Sequence, residues 1–229
     1  MAYYRLVSFK SCPWVQRVAI VLREKEIEFE FQHIEPTERP EWFKHISPHN
    51  KVPILRVGEE VSLFESDAIN EYLDELHQPK LHPDDPVQRS INRAWIEYAP
   101  TFADIASGHA YADNADNYER AAALIPNAFE KVERILEVQG SRPFFNGTDY
   151  SLVDAAYAPF LQRHLFLERI KRLGHIDRFP RLRAWAQAIV DRQSTHSFPP
   201  DEYEAMYRDM VKRRNRWMSQ FVTPIEHYS

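Results

Sequence analysis

One side chain in this sequence has the makings of a nucleophile. Cys12 is the only cysteine of the chain, and it stands in the stretch SFKSCPWVQRVAIVLREK, residues 8 to 25, followed at once by Pro13. A lone thiol has two readings, a small buried hydrophobe or a reagent whose thiolate attacks. Its setting favours the second. Pro13 suits the first turn of a helix, where its missing N–H leaves no bond unmade. Cys12 therefore falls at a helix N-terminus, where unpaired amides and the positive end of the dipole favour the thiolate. On that account the thiol titrates below the free value of ~8.5, in the range of roughly 3.5 to 7.5 found at such sites. Val15 follows at the third position, so there is no dithiol motif, and a second thiol must come from outside.

Other chemistries are excluded or left bland. A single cysteine rules out an intramolecular disulfide and a cysteine-based zinc site, and fits a reducing compartment such as the cytoplasm. The 10 histidines show no H-E-x-x-H or comparable ligand spacing, so no metal is expected. With 29 basic against 34 acidic residues the net charge is −5, which gives no general attraction to nucleic acid or to an anionic membrane. The basic run KRRNR, Lys212 to Arg216, reads as a solvated helix end. No signal-peptide h-region and no apolar window of membrane-spanning length is present.

The elements that must position Cys12 follow from periodicity. YRLVSF, Tyr4 to Phe9, reads as a short strand. Beyond Pro13, Val15, Val18, Ala19 and Leu22 form one face of a helix. In IEFEFQHI the residues Ile27, Phe29 and Phe31 alternate with Glu28, Glu30 and Gln32, a half-buried strand. A loop with Pro36, Pro40 and Pro48 comes next, then VPILRVGEEVSLF, a hairpin about Gly58, Glu59 and Glu60. Ser66, an N-cap type, opens a helix that buries Ile69, Tyr72, Leu73 and Leu76. The order is βαβ, loop, ββα.

HQPKLHPDDP, His77 to Pro86, carries three prolines without periodicity and reads as a linker. Residues 1–78 then form one domain, 79–86 the connection, and 87–229 an all-helical domain of about five or six helices. Ile91, Trp95, Tyr98, Phe102 and Ile105 mark a long helix with Pro100 inside it, and Leu124, Ala128, Val132, Ile135 and Leu136 mark another. Ser151 and Asp154 have the spacing of a capping box, with aspartate in place of glutamate.

The motifs SCPWVQRVAIVL, RPEWFKHISPHNKVPIL, LFESDAINEYLDE and LHPDDP, in this order and spacing, resemble the cytosolic glutathione transferases, in particular their cysteine-type, omega-like members. The resemblance covers the first ~86 residues closely and the rest loosely. It implies a thioredoxin-like α/β domain followed by an all-α domain, glutathione as co-substrate, and a homodimer. It also implies roles. Cys12 forms a mixed disulfide with glutathione and is the catalytic thiol. Val52 and Pro53 match the cis-proline site, where the valine backbone pairs with the glutathione cysteinyl group as an added strand would. Glu65 and Ser66 match the pair that holds the γ-glutamyl end, and a helix N-terminus there suits a carboxylate. Arg39 stands where relatives carry lysine and can pair with a carboxylate. Trp14 lines the glutathione pocket. Bland alternatives stand beside these: Glu65 and Ser66 as a helix start, Arg39 as solvated surface, Pro53 as a trans residue opening a strand.

An acceptor pocket is expected between the domains, lined by Trp95, Tyr98, Phe102 and Trp217, although core packing is the commoner fate of aromatics at helical spacing. The favoured function is glutathione-dependent thiol transfer or reduction on a small disulfide or electrophilic acceptor, with weak conjugation. Two rivals remain. One is a non-catalytic protein like the bacterial stringent-starvation proteins, which bind RNA polymerase; these typically lack a cysteine at this motif. The other is a zeta-type isomerase, whose Ser-Ser-Cys-aromatic pattern fits less well than Ser-Cys-Pro-Trp.

Overall fold

A computed structural model describes residues 3–139 and 143–223. The N-terminal part is built from β1 (Tyr4–Ser8), α1 (Pro13–Glu24), β2 (Phe29–His33), α2 (Glu41–Ile46), β3 (Ile54–Val57), β4 (Val61–Phe64) and α3 (Ser66–Leu76). The strands lie in the order β2-β1-β3-β4. β1 runs parallel to β2 and antiparallel to β3, which is antiparallel to β4. This is the thioredoxin-like arrangement. Leu6 and Val7 of β1, Ile54 and Leu55 of β3, Val18 to Leu22 of α1, and Ile69 and Leu73 of α3 are buried completely, so both helices turn apolar faces into a core. Gly58 turns the β3–β4 hairpin at φ +63°, a conformation that an L side chain resists.

Register matters most for the site. Val7 is opposite Ile54, and Ile54 opposite Phe64. The end of β1, the start of β3 and the end of β4 therefore share one end of the sheet, and whatever follows Ser8, precedes Ile54 or follows Phe64 is brought there.

Downstream come α4 (Pro86–Gly108), α5 (Ala115–Ala122), α6 (Ile125–Gln139), α7 (Leu152–Ile170), α8 (Pro180–Val190) and α9 (Pro200–Arg213), six α-helices among the described residues. The Ser151–Asp154 box starts α7 as its spacing predicts. The Ser151 amide and hydroxyl donate to Asp154 Oδ2 at 2.7 and 2.6 Å, and the Asp154 amide donates back at 3.4 Å.

Five local expectations need correction, one of them Leu124, which lies just before α6 and is 59% exposed. The proline-rich loop contains the six-residue α2, too short to register as a period. Glu65, at φ +66°, is the N-cap of α3, and Ser66 is its first helical residue. Leu76, expected buried, is 57% exposed at the last position of α3. In α4 the buried stripe runs through Asn92, Ile96, Ala99, Phe102, Ala103 and Ala106. Of the expected face only Phe102 is in it, because small alanines permit close packing while Ile91, Trp95, Tyr98 and Ile105 lie half-buried on the flank.

The chain divides into two compact units. One comprises the chain up to Ile96 together with Ser151–Pro159 and Gln193–Ser197, and the other holds Glu97–Tyr150, Phe160–Arg192 and the chain from Phe198 onward. The later pieces are bonded into the first unit. Arg23 donates to the Ser194 carbonyl and to Ser197 Oγ, both at 3.1 Å, and Tyr157 donates to the Trp95 carbonyl at 3.0 Å. The segment after α3 is equally tied down. Buried Lys25 pairs with Asp74 at 2.8 Å and donates to the carbonyls of His77 and Pro79, while Asp74 accepts from the amides of Leu81 and His82. In the second unit a cluster of Ala110, Tyr118, Phe166, Leu167, Tyr203, Tyr207, Val211 and Met218 forms a buried core.

No helix among the described residues is long and apolar enough to cross a membrane. In the KRRNR run, Arg213 pairs with Asp209 at 2.8 Å, Arg214 lies 4.1 Å from the centre of the Tyr111 ring, and Arg216 pairs with Asp113.

Candidate active site at one end of the sheet

Cys12 is the N-cap of α1, with extended backbone at φ −75° and ψ 121°. Its amide donates to the Phe9 carbonyl at 3.0 Å, and its own carbonyl accepts from Gln16 at 3.1 Å, closing the first helical turn. Pro13 stands at N1. Cys12 as a residue is partly exposed. Trp14, also half-exposed, turns its ring toward the Arg17 guanidinium, 5.5 Å from the ring centre.

Val52–Pro53 is a cis peptide, and both residues are buried immediately before β3. The loop leading to it is braced by Ser47, whose hydroxyl donates to the Lys51 carbonyl at 2.8 Å and accepts from the Lys51 amide at 2.9 Å. Arg39 is half-buried. Its Nη1 donates to the Asn50 carbonyl at 2.6 Å, its guanidinium lies 5.5 Å from the centre of the Phe9 ring, and its buried Nε has no acceptor among the described residues. Arg39 thus joins the turn before Cys12 to the turn before Val52. At the same end His33 closes β2, held below the usual imidazole range by partial burial and by Lys10.

The third segment follows β4. Glu65 is exposed, in the left-handed region, with His49 Nε2 3.7 Å from its carboxylate. Ser66 is 5% exposed. The residue that binds this segment to Cys12's helix is one that sequence reasoning missed. Arg17, on α1, is completely buried; its Nη1 donates to Ser66 Oγ at 3.1 Å and its Nη2 pairs with Asp67. A buried guanidinium is several kcal/mol out of place unless paired and hydrogen-bonded, and Arg17 is both. Asp67 was missed with it. The available signal was an arginine among residues 15 to 22, in a helix that is otherwise apolar on almost every side.

One end of the sheet thus gathers Cys12, Trp14, Arg39, Val52, Pro53, Glu65 and Ser66, with the guanidiniums of Arg17 and Arg39, the N-terminus of α3 and a partly exposed cysteine. The four acceptor-side aromatics are divided between the two units. Trp95 is in the first unit. In the second, Tyr98 faces Lys131, Phe102 is fully buried and stacked on Phe129 at 5.8 Å, and Trp217 packs on Tyr118 at 4.4 Å. Among the described residues no group of three or more His, Cys, Asp or Glu side chains could hold a metal ion.

Residues 6–81 match the family model for the glutathione S-transferase N-terminal domain, and residues 115–188 match that for the C-terminal domain. Glutathione S-transferase omega-1 of Rattus norvegicus is 29% identical over 188 residues, covering 82% of this chain and 76% of its own length. Glutathione S-transferase L1 of Arabidopsis thaliana is 31% identical over 190 residues, covering 81% and 77%. The crystal structure of glutathione transferase Omega 3C from Trametes versicolor superposes with a TM-score of 0.75 at 25% identity, covering 86% of this chain and 90% of that one.

Proposed function

The chain belongs to the glutathione S-transferase family, and from that premise we propose that it is a cysteine-type transferase that moves glutathionyl groups between thiols. The observation that carries this reading is Cys12 as a half-exposed N-cap at the sheet end it shares with cis Val52–Pro53 and Glu65–Ser66. In the first step the Cys12 thiolate attacks the glutathionyl sulfur of a mixed disulfide. A Cys12–glutathione disulfide forms and the acceptor leaves as its thiolate, which takes a proton. In the second, a glutathione thiolate attacks the glutathionyl sulfur on Cys12, giving glutathione disulfide and releasing Cys12. The acceptor disulfide is reduced by two electrons, and two glutathione units are oxidised to one disulfide.

The remaining residues take supporting parts. The backbone at Val52 pairs with the cysteinyl unit, Arg39 faces the glycyl carboxylate, and Glu65 and Ser66 hold the γ-glutamyl end. Conjugation to electrophiles is weak, since a cysteine here traps glutathione as a disulfide. The reading carries with it a homodimer and a cytoplasmic setting, where thiols stay reduced.

The test is intact-mass analysis after incubation with oxidised glutathione. The wild type gains one glutathionyl group, and Cys12→Ala gains none and has no thiol-transfer activity. An unmodified wild type with a slowly alkylating thiol would return Cys12 to a packing role.

A further inference from the structure

Ser66 reads as an ordinary helix-start serine, but its partner restricts what its hydroxyl can do. Arg17 Nη1 lies 3.1 Å from Ser66 Oγ, and a guanidinium donates hydrogen bonds without accepting them. Oγ is therefore the acceptor, and the one hydroxyl proton must go elsewhere. In a helix interior a serine returns that proton to the carbonyl three or four residues back. Here those residues are Leu63 and Ser62, which lie in β4, so no helical carbonyl is in place. The hydroxyl itself belongs to the first residue of α3, whose opening amides lack intrahelical acceptors by construction. A hydroxyl already accepting from a cation is polarised toward stronger donation.

We infer that Arg17 is a positioning residue that turns Ser66 into a dedicated hydrogen-bond donor for a ligand carboxylate at the N-terminus of α3, and that this pair sets the preference for a carboxylate-bearing γ-glutamyl group. The inference rests on the glutathione reading and deepens it. Arg17 touches no ligand itself. Its 0% exposure and its hydrogen bond to Oγ hold it at Ser66, Asp67 serves as its counter-charge, and its place on α1 links the carboxylate site to the helix that begins at Cys12.

The experiment is calorimetric titration with two probes unable to exchange thiols: S-methylglutathione, and the same peptide with the γ-glutamyl α-carboxylate replaced by hydrogen. Wild type is expected to bind the first at least about tenfold more tightly, the effect of one charge-assisted hydrogen bond. Arg17→Met and Ser66→Ala each lose most of that discrimination, and the double variant loses no more than either. Iodoacetamide alkylation of Cys12 keeps its rate in Arg17→Met, which a general collapse of the sheet end would not allow. Retained discrimination in folded Arg17→Met, multiplying effects in the double variant, or a parallel collapse of alkylation would overturn the inference. Should Arg17→Met not fold, Asp67→Asn decides. It removes the counter-charge and keeps the Arg17–Ser66 bond, so discrimination stays or rises, and a fall to the Ser66→Ala level overturns the inference. A wild type that binds neither probe overturns the glutathione reading and this inference together.

Discussion

Glu65 holds two properties that a single substitution can separate. Its backbone is left-handed at φ +66° and its carboxylate is exposed. A non-glycine residue in that region is strained by roughly 1–2 kcal/mol, and strain of this kind persists where the surroundings over-determine it. Glu65→Ala keeps the strain and removes the charge. We expect its unfolding free energy to stay within about 0.5 kcal/mol of wild type, while glutathione affinity falls roughly tenfold or more, as for a lost charged partner. Glu65→Gly should lose the same affinity and gain stability, because glycine adopts positive φ freely. Urea denaturation and titration of both variants check this. Equal affinity in wild type and Glu65→Ala would remove Glu65 from the site.

At the scale of elements, the second unit carries a charge-sensitive joint. His109, in the turn after α4, and His164, on α7, are both buried, with ring centres 6.4 Å apart. Burial first, then Coulombic repulsion involving His164, His175 and Lys171, push His109 down to about 3. His164 is also lowered, by burial first, although Ala106's carbonyl and Glu168 oppose the shift. The sign follows from linkage. Below the ordinary value of 6.5 the unfolded chain takes up a proton that the folded chain refuses down to about 3, so stability falls as pH falls across that window. His109→Gln should flatten the slope of unfolding free energy between pH 6.5 and 3, at some general cost from altered packing. An unchanged slope by urea titration at several pH values would place the acid sensitivity elsewhere.

Elements also show how far the sequence could be read. The Cys12 junction was legible because Pro13 and the stripe at 15, 18, 19 and 22 are local signals, and the Ser151–Asp154 box was legible because its partners stand three residues apart. Arg17 was not. Its partners, Ser66 and Asp67, are 49 and 50 positions away, and an arginine in a helix ordinarily lies in water. The buried stripe of α4 was misplaced for a related reason: large rings dominate a hydrophobic pattern, while packing favours the alanines beside them.

For the whole molecule, the first unit is discontinuous in sequence. Its core up to Ile96 is completed by Ser151–Pro159 and Gln193–Ser197. A fragment ending at residue 86 leaves out the Ser194 and Ser197 acceptors of Arg23, and with them a run from 151 to 159 in which every residue is buried. Such a fragment should give a broad, non-cooperative thermal transition and bind the dye ANS, where the full chain melts sharply. A cooperative melt of the fragment would show that the N-terminal residues suffice.

The same interlacing sets a timetable for biosynthesis. A ribosome adds about 5–20 residues per second, so the strip ending at Ser197 emerges roughly 5 to 20 s after Ile96, which lies 197 − 96 = 101 positions earlier. Through that interval the first unit lacks the buried run 151–159 and the Ser194 and Ser197 acceptors of Arg23. The N-terminal sheet therefore waits several seconds for its last pieces, and the apolar surface they would cover is what a chaperone recognises during that time.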